Sequence, residues 1–299
     1  SLDEPLYHLA VVIDDMEMKI SHVVRGEDHI SNTPRQILLA EALNAPRPVY
    51  AHIPLILSPD KAKLSKRHGA VSVNEYKTEG YLPEALVNYL ALLGWNPGAG
   101  EEKEVFSMDE LIAAFDLERI NKGGAIFNFE KLDWFNKEHL KKLSDEKFAD
   151  LAGEWLSGDY ESQKMKKIIP ILRERITKFS DLKEMERKGE LRYFFERPEY
   201  EAGGLLWKGK GEPSSAAGHL QKIKEIIGGL GEDFSAEEAK SAVWPYAEVA
   251  GRGEVLWPMR YALSGEERSP DPFAIASILG KTETLERLDD AVEKLKTNG

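Results

Sequence analysis

The 299-residue sequence contains no cysteine. That excludes a disulfide framework, a thiolate nucleophile and a cysteine-held zinc ion. A metal would need carboxylate or imidazole ligands, or would arrive with a nucleotide. No apolar run approaches the roughly 18 to 20 residues of a membrane span, and the N-terminus lacks the basic-then-apolar order of a signal peptide. The expected address is therefore cytoplasmic, with no membrane partner. Positive charge is also in short supply: 40 Lys and Arg against 52 Asp and Glu give a net charge of −12. Nucleic-acid binding over the whole surface is excluded, because phosphate attraction scales with local cationic charge. No internal repeat is present.

What remains is a chain with 42% apolar residues, enough to bury a sizeable core in more than one domain. Its basic residues gather in two places. Lys61, Lys63, Lys66, Arg67 and His68 form one cluster, and Lys164, Lys166, Lys167, Arg173, Arg175 and Lys178 the other.

The first part of the chain reads as α/β. Tyr7 to Asp15 is rich in β-branched residues and is expected to be a buried strand, followed by a second strand at Ile20 to Val24. Thr33-Pro34 predicts a helix start, with the Thr33 hydroxyl as cap and Pro34 at a position that needs no donor. A third apolar stretch, His52 to Leu57, leads into the basic loop. Strand, helix, strand and loop make half of an open α/β sheet. Beyond residue 75 no strand series returns, so the remainder is expected to be helical. Pro83 opens a helix that Gly94 ends, and Ser107 with Glu110 and Ser235 with Glu238 have the capping-box spacing. Further helices are expected near 129–142, 144–156, 161–178, 219–229 and 282–296, with a surface loop at 203–218.

The loop from Lys61 to Gly69 places several cations directly after an apolar strand. It suits either a solvated turn or a loop that closes over a polyphosphate and stabilises charge on leaving pyrophosphate. Its neighbours separate these readings. Lys63-Leu64-Ser65-Lys66-Arg67 resembles the Lys-Met-Ser-Lys-Ser motif of class I aminoacyl-tRNA synthetases, in the form of the glutamyl and glutaminyl subgroup. Tyr7-His8-Leu9-Ala10, Asp14-Asp15, Arg25-Gly26-Glu27-Asp28-His29 and Asn32-Thr33-Pro34-Arg35-Gln36 resemble the second half of a glutamyl-tRNA synthetase catalytic domain. Gly80 to Leu86, Asn88-Tyr89-Leu90, Gly94-Trp95 and Lys131 to Asn136 continue the likeness in the same order.

The resemblance implies a glutamate–tRNA ligase. Glutamate would attack the α-phosphorus of ATP, and the glutamyl group would then pass to a terminal ribose hydroxyl of tRNA(Glu). Mg²⁺ would come with ATP, and no zinc is implied. Lys66 and Lys63 are the implied catalytic cations. With Arg67, Asp28, His29, Leu55 and Ile56 they would form the ATP site, Leu55 and Ile56 through backbone groups. Tyr7 and Arg25 would bind the amino acid, a guanidinium fork being suited to a carboxylate. Val11 stands where some relatives have a substrate-binding Asn. Glu27 would border the ATP site, and Asp14 and Asp15 are as well suited to holding the turn as to touching substrate.

The implied architecture is half of a Rossmann-like catalytic sheet over 1–73, a helical stem-contact domain over 74–142 and a helical anticodon-binding domain over 143–299, in a monomer. Arg175 and Arg260 are the implied tRNA contacts, and Trp257 reads as core. The His-Ile-Gly-His type motif that opens such catalytic domains does not occur in the sequence, which enters the pattern in mid-domain. It is read as a C-terminal part, unable to activate glutamate alone. The alternatives are a non-catalytic tRNA-binding or regulatory module, and complementation by a separately encoded first half.

Overall fold

The computed structural model describes residues 5–62, 64, 72–98, 100, 102–158, 162–209 and 211–297. The chain divides into two compact units, Ser1–Lys142 and Leu143–Gly299.

The first unit opens with helix α1 (Tyr7–Glu17) where the sequence suggested a strand. The β-branched run carries a helical stripe: Val12 is buried, and His8, Asp15 and Met16, at helical spacings from it, are half-buried. This face packs on α2. Lys19, at φ 56°, ends the helix, and the Ile20 N–H returns to Asp15 O at 2.8 Å. Strand β1 (His22–Gly26) follows, then a 3-10 turn over Glu27–Asn32, α2 (Thr33–Ala42) and β2 (Val49–Ile53). β1 and β2 are parallel, with Val24 opposite Ala51 and Arg25 opposite His52. This is a strand–helix–strand unit, as the sequence indicated.

Pro54, which has no N–H to give a ladder, stands between β2 and β3 (Ile56–Leu57). β3 pairs in parallel with β4 (Ala125–Ile126), so the part after residue 75 is not wholly helical. Gly124 makes this pairing possible: a β-carbon there would meet the Leu57 side chain at 2.8 Å and Leu55 O at 3.4 Å. The remaining helices of this unit are α3 (Val73–Thr78), α4 (Pro83–Gly94), α5 (Met108–Ala114) and α6 (Phe129–Lys142). Ser107 and Glu110 form the predicted capping box, and Ser72 and Glu75 form another. Tyr76, Tyr89, Phe127, Leu132 and Phe135 make an aromatic core between α4 and α6, with the Tyr89 and Phe127 rings 5.0 Å apart and edge-to-face.

The second unit is helical: α7 (Asp145–Gly153), α8 (Ser162–Arg175), α9 (Ser180–Arg187), α10 (Pro213–Gly228), α11 (Ala236–Ala250), α12 (Arg252–Ser264), α13 (Pro272–Leu279) and α14 (Lys281–Thr297). Ser235 and Glu238 form the predicted capping box on α11. Gly265, at φ 70°, closes α12 with a left-handed turn. Where a loop was expected at 203–218, short 3-10 turns cover Ala202–Leu205 and Trp207–Gly209, and Pro213 already starts α10. Leu205 explains the difference, since its fully buried side chain pins the segment to the core.

Candidate functional site

In parallel α/β sheets, ligands are met at the carboxyl ends of the strands. That is where Arg25 lies, one residue before the end of β1. Its Nη2 donates to Thr33 Oγ1 at 2.8 Å and reaches His29 O at 3.5 Å. Its Nε faces His52 Nε2 at 3.5 Å, and the guanidinium lies 5.4 Å from the Tyr50 ring centroid. Thr33 does not act as the expected helix cap, because its hydroxyl accepts from Arg25 and points at His29 O and His52 Nε2, 3.2 and 3.0 Å away.

Tyr7 and His29 stand over the same end, with ring centroids 6.3 Å apart. Tyr7 is exposed. His29 Nδ1 is 3.1 Å from Asn32 Nδ2. Asp28 folds back over the end of β1, and a β-carbon at Gly26 would meet its Oδ1 at 2.5 Å. The electrostatics centre on Arg25. Burial raises the Asp15 pKa, and the nearby guanidinium partly offsets this. Burial, then Arg25, then His29 hold His52 below its ordinary value.

Glu27 and Leu55 join this end of the sheet to the base of the basic loop. The Leu55 N–H donates to Glu27 Oε1 at 3.1 Å, and Leu55 O accepts from Ala125 N–H at 3.2 Å. Ile56 O accepts from Leu64 N–H at 3.3 Å. Between them Ser58, fully buried, closes a turn: its N–H donates to Ala62 O at 2.8 Å, and Lys61 sits at φ 62°. Leu64 packs against the aromatic core of the unit. Lys63, Ser65, Lys66, Arg67 and His68 lie outside the described residues. Among the described residues, no three His, Cys, Asp or Glu side chains group as a metal site. A cavity of about 330 Å³ opens at the other end of the strands, beside Lys19, Ser21, Arg47 and Pro48, away from the Tyr7–His29 face.

In the second unit two arginines of the basic cluster are engaged by local partners. Arg173 is held by Leu143 O at 2.7 Å and Asp145 Oδ1 at 2.8 Å, with its guanidinium over the Phe148 ring. Arg175, at the end of α8, pairs with Glu190. Arg260 donates to the carbonyls of Ser269 and Pro270. Trp257 is half-buried and donates from Nε1 to Gly204 O at 2.9 Å.

Known proteins match both units. A family model described as tRNA synthetases class I (E and Q), catalytic domain, matches residues 1–134. An anticodon binding domain model matches residues 147–292. The glutamate–tRNA ligase of Nitrosospira multiformis is 39% identical over 297 residues. The chain belongs to the glutamyl-tRNA synthetase family. Likeness extends to the glutamate–tRNA ligase of Moorella thermoacetica, 39% identical and matched over 98% of this chain and 60% of its own length. The crystal structure of a glutamate tRNA ligase from Elizabethkingia meningosepticum in complex with its amino acid is similar, at a TM-score of 0.77 and 37% identity. It is matched over 97% of this chain and 60% of that one. The chain thus spans about 60% of the length of the synthetases it matches.

The catalytic match contains Arg25 and its neighbours, and the anticodon-binding match contains Arg175 and Arg260. Sequence reasoning did not single out Thr33 and His52 as partners of Arg25, Glu27 as the partner of Leu55, or Glu190 as that of Arg175. The motifs marked Arg25, Glu27, Thr33, Leu55 and Arg175 singly, but no local spacing showed which residues meet.

Proposed function

We propose that the chain works in a glutamate–tRNA ligase, supplying the second half of its ATP- and glutamate-binding domain together with its RNA-binding parts. The observation that supports this best is Arg25. Its Nε and Nη2 are held by His52, Thr33 and His29, and Tyr7 stands over the same strand end, in a chain that matches the catalytic and anticodon-binding models in that order. A guanidinium fixed along one edge presents the other edge to a carboxylate.

In the first step the glutamate carboxylate attacks the α-phosphorus of ATP and pyrophosphate leaves. In the second, a terminal ribose hydroxyl of tRNA(Glu) takes the glutamyl group and AMP leaves. Neither step needs a side-chain nucleophile. Arg25 and Tyr7 orient glutamate, while Lys66, then Lys63 and Arg67, neutralise charge on the phosphates. Asp28 and His29 border the nucleotide, which brings its own Mg²⁺. Leu55 commits its N–H to Glu27, so an N–H offered to adenine at this pair would come from Ile56. The division of labour follows 1–73 for the nucleotide, 74–142 for the acceptor stem and 143–299 for the anticodon, with Arg175 and Arg260 facing RNA. The protein acts as a cytoplasmic monomer; no helix among the described residues is long and apolar enough to cross a membrane.

Binding of the purified chain to a tRNA(Glu) transcript, compared with the same transcript carrying a changed anticodon, tests the reading. A preference for the glutamate anticodon supports it, as does failure of these 299 residues alone to sustain ATP–pyrophosphate exchange. Equal affinity for both transcripts would overturn the anticodon assignment, and exchange without the His-Ile-Gly-His motif would overturn the half-site.

A further inference from the structure

Arg25 has a partner that the proposed chemistry leaves without a role. The parallel register of β1 and β2 sets Arg25 directly beside His52, with Arg25 Nε 3.5 Å from His52 Nε2. A guanidinium only donates hydrogen bonds. With Arg25 Nε donating, His52 Nε2 presents a lone pair, so the ring is neutral with its proton on Nδ1, and the Thr33 hydroxyl gives its one proton to that nitrogen rather than to His29 O, 3.2 Å away. Thr33 completes the grip by accepting from Arg25 Nη2 at 2.8 Å while its hydroxyl lies 3.0 Å from the same His52 nitrogen. Both grips fall on the Nε and Nη2 edge, and Arg25 Nη1 makes no hydrogen bond to a described residue.

We propose that His52 is a positioning residue for the substrate carboxylate: its neutral imidazole holds the Nε edge of Arg25, so that Nη1 is aimed at glutamate. The inference rests on the reading of Arg25 as the glutamate ligand. It makes substrate binding sensitive to acid, because protonation of His52 removes the acceptor and sets a second cation against the guanidinium. The groups that face His52 are Arg25 from β1, His29 from the 3-10 turn and Thr33 from α2. Asp15 and Tyr50 act on Arg25 from α1 and β2. Burial and the Arg25 and His29 charges all oppose protonation of His52.

Nitrogen-15 NMR of the histidine rings in the 299-residue chain, with and without glutamate, tests this. His52 is expected in the Nδ1–H tautomer, titrating below the ordinary histidine value of about 6.5, and Arg25→Met should move that titration upward. At pH 7.5, His52→Leu should weaken glutamate binding about tenfold, the loss of one hydrogen bond to a charged group. His52→Gln, whose side-chain oxygen can accept the same bond, should restore most of the affinity and remove its fall toward pH 5. An Nε2–H tautomer, a titration indifferent to Arg25→Met, or full affinity in His52→Leu would each overturn the proposal. If His52→Leu does not fold, the tautomer and the Arg25→Met titration still decide. If His52 behaves as expected and Arg25→Met leaves glutamate affinity unchanged in the chain joined to the first half of its catalytic domain, the substrate reading of Arg25 is what fails, and the positioning role falls with it.

Discussion

Asn88 and His139, 51 residues apart in sequence, meet inside the first unit with Asn88 Oδ1 3.0 Å from His139 Nε2. Asn88 is fully buried. Its oxygen also accepts the Phe106 N–H at 2.8 Å, and its Nδ2 donates to Glu104 O at 3.0 Å. One amide thus ties α4 to α6 and to the segment that leads into α5. Asn88→Leu keeps the volume but leaves an N–H, a carbonyl and a ring nitrogen without their partner. A loss of about 3 kcal/mol is expected from several unmet buried groups, read as a lower urea midpoint for the first unit. An unchanged midpoint would show that the network contributes nothing.

The same pair makes stability depend on pH. Burial, then Lys142, lowers the His139 pKa, and Glu84 opposes the change. With the folded value below the unfolded value of about 6.5, the unfolded chain binds more protons, so stability is lost as pH falls through 6.5 toward the folded value. The urea midpoint should drop between pH 7.5 and 5.5 in the wild-type chain and drop less in His139→Gln. Parallel curves would exclude His139 as a source of the dependence.

Arg287 holds the second unit together from within. It is almost fully buried, and it donates to Tyr193 O at 2.7 Å, Leu263 O at 2.6 Å and Glu196 O at 3.1 Å, with Glu283 as its carboxylate partner at 2.8 Å. Arg287→Met strands three backbone carbonyls, while Glu283 keeps Arg197 as its partner at 3.1 Å. The expected cost is about 3 kcal/mol, from several buried carbonyls left without a donor, and chemical denaturation of the chain measures it. Arg287→Lys should recover only part of this, because an ammonium cannot reproduce the planar fork.

Arg175 and Arg260 should behave differently toward RNA. Arg175 sits at a helix end in an ion pair with Glu190 and is partly exposed. Arg175→Ala is expected to weaken binding of tRNA carrying the glutamate anticodon by about tenfold, and that of other anticodons much less, as for a base contact worth 1 to 3 kcal/mol. Arg260 holds the Ser269 and Pro270 carbonyls, so Arg260→Ala should loosen that turn and weaken all tRNAs alike. Binding titrations with two anticodons separate the cases, and equal losses for Arg175→Ala would reassign it to a phosphate contact.

The sequence by itself determined what depends on a few consecutive residues. The capping boxes at Ser107 and Ser235 formed as expected, because each is made by side chains and amides within four residues of each other. The motif series from Tyr7 through Asn136 carried the family for the same reason, each motif being contiguous. Tertiary structure decided the rest. The Tyr7–Asp15 run became a helix because α2 covers its Val12 face, which β-branched composition alone does not reveal. β4 is two residues long and exists only through its register with β3. Arg25 was singled out by its motif, but the clamp around it was not. His52 comes beside it because two parallel strands align, and Thr33 because a helix starts next to their ends. Those distances are set by strand register and helix packing, which act between segments far apart in the chain and leave no local pattern in the residues themselves.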